Sequence, residues 1–166
     1  PQALVEHYNG NESSRIQYYL DAEPADRRSF AAVREAVERR LPGRGRVLDV
    51  GPNVGTCLAL ARERGWDVAG VEINAEAARH CREARGLDVR AGTLDDCPFP
   101  RASFAAVLMG DVIERLPDPR RALGQARELL QPGGLVAIST PDIGGWAGRA
   151  LQVKPEEHIY YFSPAT

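Results

Sequence analysis

The nine residues Val47-Leu48-Asp49-Val50-Gly51-Pro52-Asn53-Val54-Gly55 constrain the fold of this chain more than any other stretch. A short apolar run ends in a glycine turn, and Thr56 to Arg64 then reads as a helix closed by Gly65. A strand that passes through such a turn into a helix opens a βαβ unit. Gly51 lets the backbone bend sharply and lets a ligand come close. The free N–H groups of the helix that follows favour an anion. A dinucleotide fingerprint needs glycines spaced Gly-x-Gly-x-x-Gly. Here Asn53 and Thr56 stand at the second and third of those positions. A pyrophosphate cradle, and with it a nicotinamide oxidoreductase, is disfavoured; a single carboxylate fits better. Asp49 beside the turn attracts a cation. A ligand with both charges close together, such as an amino acid, matches the pair.

The rest of the chain alternates strand and helix. The head, Pro1 to Glu23, is polar, lacks a clear period and carries Tyr8, Tyr18 and Tyr19. We read these tyrosines as packing residues in preference to a lid. A helix is predicted from Pro24, which suits a first helical turn, to about Leu41. Phe30, Val33, Val37 and Leu41 recur along it at helical spacing. Strands are predicted at 47–50, 68–73, 89–91, 105–109 and 135–139. Asn74 caps a helix that ends near Arg85, and Asp118-Pro119 opens another that ends before Pro132-Gly133-Gly134. This order implies an α/β fold, a Rossmann-like doubly wound parallel sheet with right-handed crossovers. Ligands bind such a sheet at the carboxyl ends of its strands, beside the first one. Glu72 ends the second strand, about twenty residues after the turn, where a carboxylate can accept both hydroxyls of a ribose.

Residues 1–45 form a head and helix on the lid or substrate side, and 46–166 the ligand-binding domain. The fifth strand would be an open sheet edge. Phe162-Ser163-Pro164 announces a helix at the end of the sequence. The C-terminal strands therefore read as missing, with a further domain or a homodimer partner expected over that edge.

Composition narrows the functional classes. With 166 residues one domain is expected. A net charge of −2 excludes a broad grip on nucleic acid. No apolar run approaches the roughly 20 residues of a membrane span. Cys57, Cys81 and Cys97 form no Cys-x-x-Cys pair and read as reduced thiols, which points to the cytoplasm.

An amino acid joined to a ribose describes S-adenosylmethionine. Five segments resemble the class I S-adenosylmethionine-dependent methyltransferases: VLDVGPNVG, GVEI, AGTLDDCPF, GDVIERLPDP and LLQPGGLVAISTPD. The likeness runs from Arg46 to Thr166 and is closest to the small-molecule branch that includes the ubiquinone-biosynthesis O-methyltransferases. The closing EEHIYYFSPAT is similar to that branch's segment before its last helix.

The resemblance implies roles by position. Asp49, Gly51 and Gly55, with Pro52 and Asn53 in the same loop, would hold the methionine end of the cofactor. Glu72 would hold the ribose and Ile73 would pack on adenine. Thr93, Leu94 and Asp95 would border the adenine, and Gly110 and Asp111 would contact the methionine moiety. Two departures stand out: Asn53 where the family has glycine, and Asp111 and Arg115 where it often has histidine. The implied activity is methyl transfer to a small-molecule acceptor by in-line displacement. A non-catalytic cofactor-binding or scaffolding domain is the alternative. His158 and Glu114 are the candidates for a base or substrate contact. Asp111, Glu114 and His158, or Asp95 with Asp96, could offer metal ligands, but no metal site is expected.

Overall fold

The structure, a computed structural model, describes residues 12–96, 99–144 and 158–163. The expectations for Tyr8, Cys97, Pro164 and the residues after it lie outside them. Chain order is α1 (Glu12–Arg40), β1 (Arg46–Val50), α2 (Thr56–Glu63), β2 (Asp67–Glu72), α3 (Ala75–Arg85), β3 (Asp88–Ala91), β4 (Phe104–Gly110), a 3-10 turn (Ile113–Arg115), α4 (Pro119–Leu129) and β5 (Leu130–Ser139). The five strands form one sheet in the order β3-β2-β1-β4-β5, and every pairing is parallel. This is the doubly wound, Rossmann-like sheet expected.

Strand parity builds the core. Side chains alternate across a sheet, and helices cover both faces, so β1 and β4 are apolar almost throughout. Val47, Ala106 and Leu108 join Leu58, Trp66 and Val37 on one face. Leu48, Val50, Val107 and Met109 join Phe104, Ala122 and Ala126 on the other. The same parity places Asp49 on the α1–α2 face, between two apolar neighbours. The caps follow the sequence closely. Asn74 Oδ1 accepts from the Ala77 N–H at 2.8 Å, and Asp118 Oδ1 from the Arg121 N–H at 2.9 Å. Each such cap contributes about 1 kcal/mol.

Two boundaries differ from expectation. The first helix starts at Glu12 and not at Pro24, which lies inside it. An interior proline costs about 3 kcal/mol in a helix, and contacts on both sides of it offset that cost. Glu23 accepts from Arg85 of α3 at 2.7 and 3.1 Å, Arg27 donates to Glu63 of α2 at 3.2 Å, and Val37 is buried. The second is β5, which begins at Leu130. Phe104 pairs with Leu130 and Ala106 with Leu135, so Pro132-Gly133-Gly134 forms an irregularity inside the strand and not the loop before it. Past β5, Asp142 bridges Phe162 in parallel. Among the described residues no helix is long and apolar enough to cross a membrane.

Candidate functional site

The sheet order reverses between β1 and β4, since β1 leads to β2 on one side and β4 to β5 on the other. A cavity of about 530 Å3 opens at that point, within the roughly 300–1,000 Å3 range of small-ligand sites. One wall is made of the strand ends and the loops after them. The other is α1, through Ile16, Tyr19, Asp26, Phe30 and Val33.

The turn after β1 is held by geometry that side chains oppose. Gly51 has φ 75°, and its N–H donates to the Val71 carbonyl at 2.8 Å. A Cβ there would lie 2.6 Å from Val112 Cγ2. Asn53 also sits in the left-handed region, at φ 54°. Asparagine tolerates that conformation better than other L-residues, which explains why this position can depart from glycine. Gly51, Pro52 and Asn53 line the cavity. Gly55 caps α2 at φ 83° behind it, where a Cβ would meet Leu87 Cδ1 at 2.7 Å and Cys81 Sγ at 2.9 Å. Its part is to let α2 approach the α3–β3 connection.

Two carboxylates share the face beside this turn. Asp49 is 4% exposed and Glu72 6%. The Asp49 carboxyl is pushed up to about 8, chiefly by burial and also by the charge of Glu72, with a hydrogen bond from the Cys57 thiol opposing the rise. Burial also raises Glu72, against hydrogen bonds from the backbone of Asn74, Asn53 and Ile73. The Asn53 N–H donates to Glu72 Oε2 and the Asn74 N–H to Oε1, each at 2.8 Å. Glu72 therefore ties the β1 loop to the β2 loop. Each of its oxygens keeps a further lone pair, enough for the two hydroxyls of a sugar. No basic side chain is among the groups acting on Asp49. A buried carboxylate pair short of positive charge is stabilised by a cation. A zwitterionic amino-acid group joined to a ribose fits this donor set.

The remaining expected residues divide in two. Ile73, Thr93, Leu94, Asp95, Gly110 and Asp111 all line the same cavity. The Thr93 N–H and hydroxyl donate to Asp96 Oδ2 at 3.0 and 2.7 Å, shaping the β3 loop. Asp95 Oδ1 accepts from Arg121 at 2.7 Å and Gln125 at 2.6 Å, which fastens that loop to α4. Asp111 adopts φ 52°; its N–H donates to the Ser139 carbonyl, and its carbonyl accepts from Arg115 Nε.

Glu114 and His158 are not brought to the cavity. Glu114 is 1% exposed; its carboxylate accepts from Thr140 Oγ1 at 2.9 Å and Arg115 Nε at 3.2 Å. Its carbonyl accepts the Ile159 and Tyr160 N–H groups. His158 Nε2 lies 3.9 Å from Glu114 Oε1, and both side chains are buried. This geometry makes Glu114 a fastening between the β4 turn, the end of β5 and the closing segment. Among the described residues no group of three His, Cys, Asp or Glu could hold a metal.

The α1 wall was legible only in part: Tyr19, read in the sequence as a packing residue, lines the cavity. Ile16, Tyr19, Asp26, Phe30 and Val33 recur at steps of three, four or seven residues along one helical face, and the signal was present. Starting the helix at Pro24 left Ile16 and Tyr19 outside it and cut that stripe in two. Arg115 and Arg121 were passed over as lining residues, because their approach depends on the turn after β4.

A family model described as a methyltransferase domain matches residues 17–166. The chain is 31% identical over 124 residues to a ubiquinone biosynthesis O-methyltransferase of Bradyrhizobium sp. (72% of this chain, 48% of that protein). It is 38% identical over 106 residues to the protein of that name in Cereibacter sphaeroides (60% of this chain, 43% of that protein). The chain spans about half the length of the curated relatives it matches. Among solved structures it resembles a SAM-dependent methyltransferase from Thermotoga maritima, with TM-score 0.71 and 26% identity, covering 90% of this chain and 72% of that one. A SAM-dependent methyltransferase from Archaeoglobus fulgidus gives TM-score 0.66 and 25% identity, covering 89% and 69%.

Proposed function

Because the chain belongs to the methyltransferase-domain family, we propose that it transfers a methyl group to a small-molecule acceptor by in-line displacement. Its cofactor is S-adenosylmethionine, as the family and the fold imply. The observation that carries the proposal is the buried Asp49–Glu72 pair flanking a left-handed glycine turn at the reversal of the strand order. Bound S-adenosylmethionine supplies an electrophilic methyl group on a sulfonium.

In this reading the residues divide the work by position. Asp49 takes the ammonium of the amino-acid group, and the Gly51–Pro52–Asn53 backbone admits it closely. Glu72 accepts the ribose hydroxyls. Ile73 and Leu94 provide apolar contact for the base, with Thr93 and Asp95 at its edge. Gly110 and Asp111 close the methionine side. The α1 wall limits water and holds the acceptor in line with the bond that breaks; such alignment can supply ~7–11 kcal/mol of the barrier in well-oriented cases. Glu114 with His158 holds the β4 turn in place. A cytoplasmic location and a homodimer partner or further domain on the β5 edge belong to the same proposal.

Calorimetry with S-adenosylhomocysteine tests it. The wild-type chain binds, and Glu72→Gln, which halves the acceptor capacity toward a diol, weakens binding about 10-fold or more. Absence of binding by a folded chain, or equal binding by the variant, sinks the reading.

A further inference from the structure

The α1 wall carries an ionisable group that the cofactor reading leaves unused. Asp26 lines the cavity on the same helical face as Tyr19, Phe30 and Val33, and is half-buried there. Among the described residues no hydrogen bond or ion pair engages its carboxylate. Its helical neighbours are committed elsewhere: Glu23 to Arg85, Arg27 to Glu63. Phe30, one turn on, has Cε1 3.8 Å from where a Cβ of Gly110 would stand, so this wall overhangs the carboxyl end of β4. Burial, then the charge of Glu23, raises the Asp26 carboxyl; neither Asp49 nor Glu72 is among the groups acting on it. Around it the wall is apolar and aromatic. A partly desolvated carboxylate in such a setting favours a cation or a strong proton donor.

We propose that Asp26 seats a cationic amino group of the methyl acceptor as a recognition contact, so that the acceptor carries an amine on an apolar body; the seated ammonium has no lone pair, and the attacking atom is a different, unprotonated group of the same molecule. This rests on the methyltransferase reading above. The test uses the whole chain saturated with S-adenosylhomocysteine and three probes that share a ring and differ in charge: benzylamine, benzyl alcohol and benzoate. Calorimetry reads their affinities. Benzylamine binds about 10- to 100-fold more tightly than benzoate. Asp26→Asn removes that preference while benzyl alcohol and S-adenosylhomocysteine bind as before, and Asp26→Glu retains it. Benzoate binding as tightly as benzylamine overturns the proposal, as does no benzylamine binding up to about 10 mM. An Asp26→Asn chain that keeps the preference overturns it too. A variant that weakens S-adenosylhomocysteine instead hands Asp26 to the cofactor. If the wild-type chain does not bind S-adenosylhomocysteine at all, the methyltransferase reading fails and this proposal falls with it.

Discussion

Replacing Asp49 by Asn separates what is good for the fold from what is good for the ligand. In the ligand-free chain Asp49 is buried beside Glu72, and its carboxyl is pushed up from an ordinary 3.8 to about 8. The unfolded chain loses this proton near pH 4, whereas the folded chain keeps it to about pH 8. Over that interval the native state binds one more proton than the unfolded state, so stability falls as pH rises. The slope is about 1.4 kcal/mol per pH unit for one proton. From about pH 5 to about pH 8 the wild type therefore loses about 4 kcal/mol through this group. Asp49→Asn cannot titrate, keeps an acceptor for the Cys57 thiol, and escapes the loss. Urea melts of the ligand-free chains across this range read the difference directly. At pH 8 the variant is the more stable protein, and its stability curve is flatter by one proton. Ligand binding moves the other way. An ammonium at Asp49 expels the proton that this carboxyl holds, so wild-type calorimetry in buffers of different ionisation enthalpy shows proton release near pH 7. The variant shows none from this site and binds S-adenosylhomocysteine about 10-fold or more weakly. A variant less stable than wild type at pH 8, or a wild-type stability that is flat with pH, would falsify the reasoning.

Three further outcomes follow from the geometry. Gly51→Ala places a methyl 2.6 Å from Val112 Cγ2 at φ 75°; it costs about 1–3 kcal/mol of stability and removes S-adenosylhomocysteine binding, and an unchanged melt with intact binding refutes the tight-turn account. Glu114→Gln leaves a buried hub short of its charge; it destabilises by about 2–3 kcal/mol with S-adenosylhomocysteine affinity within about threefold of wild type, and the reverse pattern would return Glu114 to the ligand site. Glu23 is held below the usual carboxylate range, chiefly by its hydrogen bonds from Arg85. Its contribution is present above the unfolded value near 4.5 and is lost as pH falls through the lower folded value. Glu23→Gln removes about 1 kcal/mol at neutral pH, and acid melts of the two chains converge; parallel melts at all pH values would contradict the pairing.

The elements were legible because they rest on local chemistry. The apolar runs of β1 and β4, the Asn74 and Asp118-Pro119 helix starts and the glycine at 51 each announce themselves within a few residues. So does the strand-end position of Glu72. From these the α/β order and the nucleoside-sized site follow. Position alone could not tell that Asp49 and Glu72 share a buried face, where the charge of Glu72 raises Asp49. That depends on the register Asp49↔Gly70, which sets the two carboxylates on the same side of neighbouring strands. Nor could it tell that Pro24 lies inside a helix, since the contacts that offset it come from Arg85 and Glu63, far along the chain. Glu114 and His158 carry residue types suited to catalysis, yet the fold turns them toward each other and away from the cavity. Local propensity is a property of neighbours in the chain, whereas burial, shared charge and the far wall of a cavity are properties of neighbours in space.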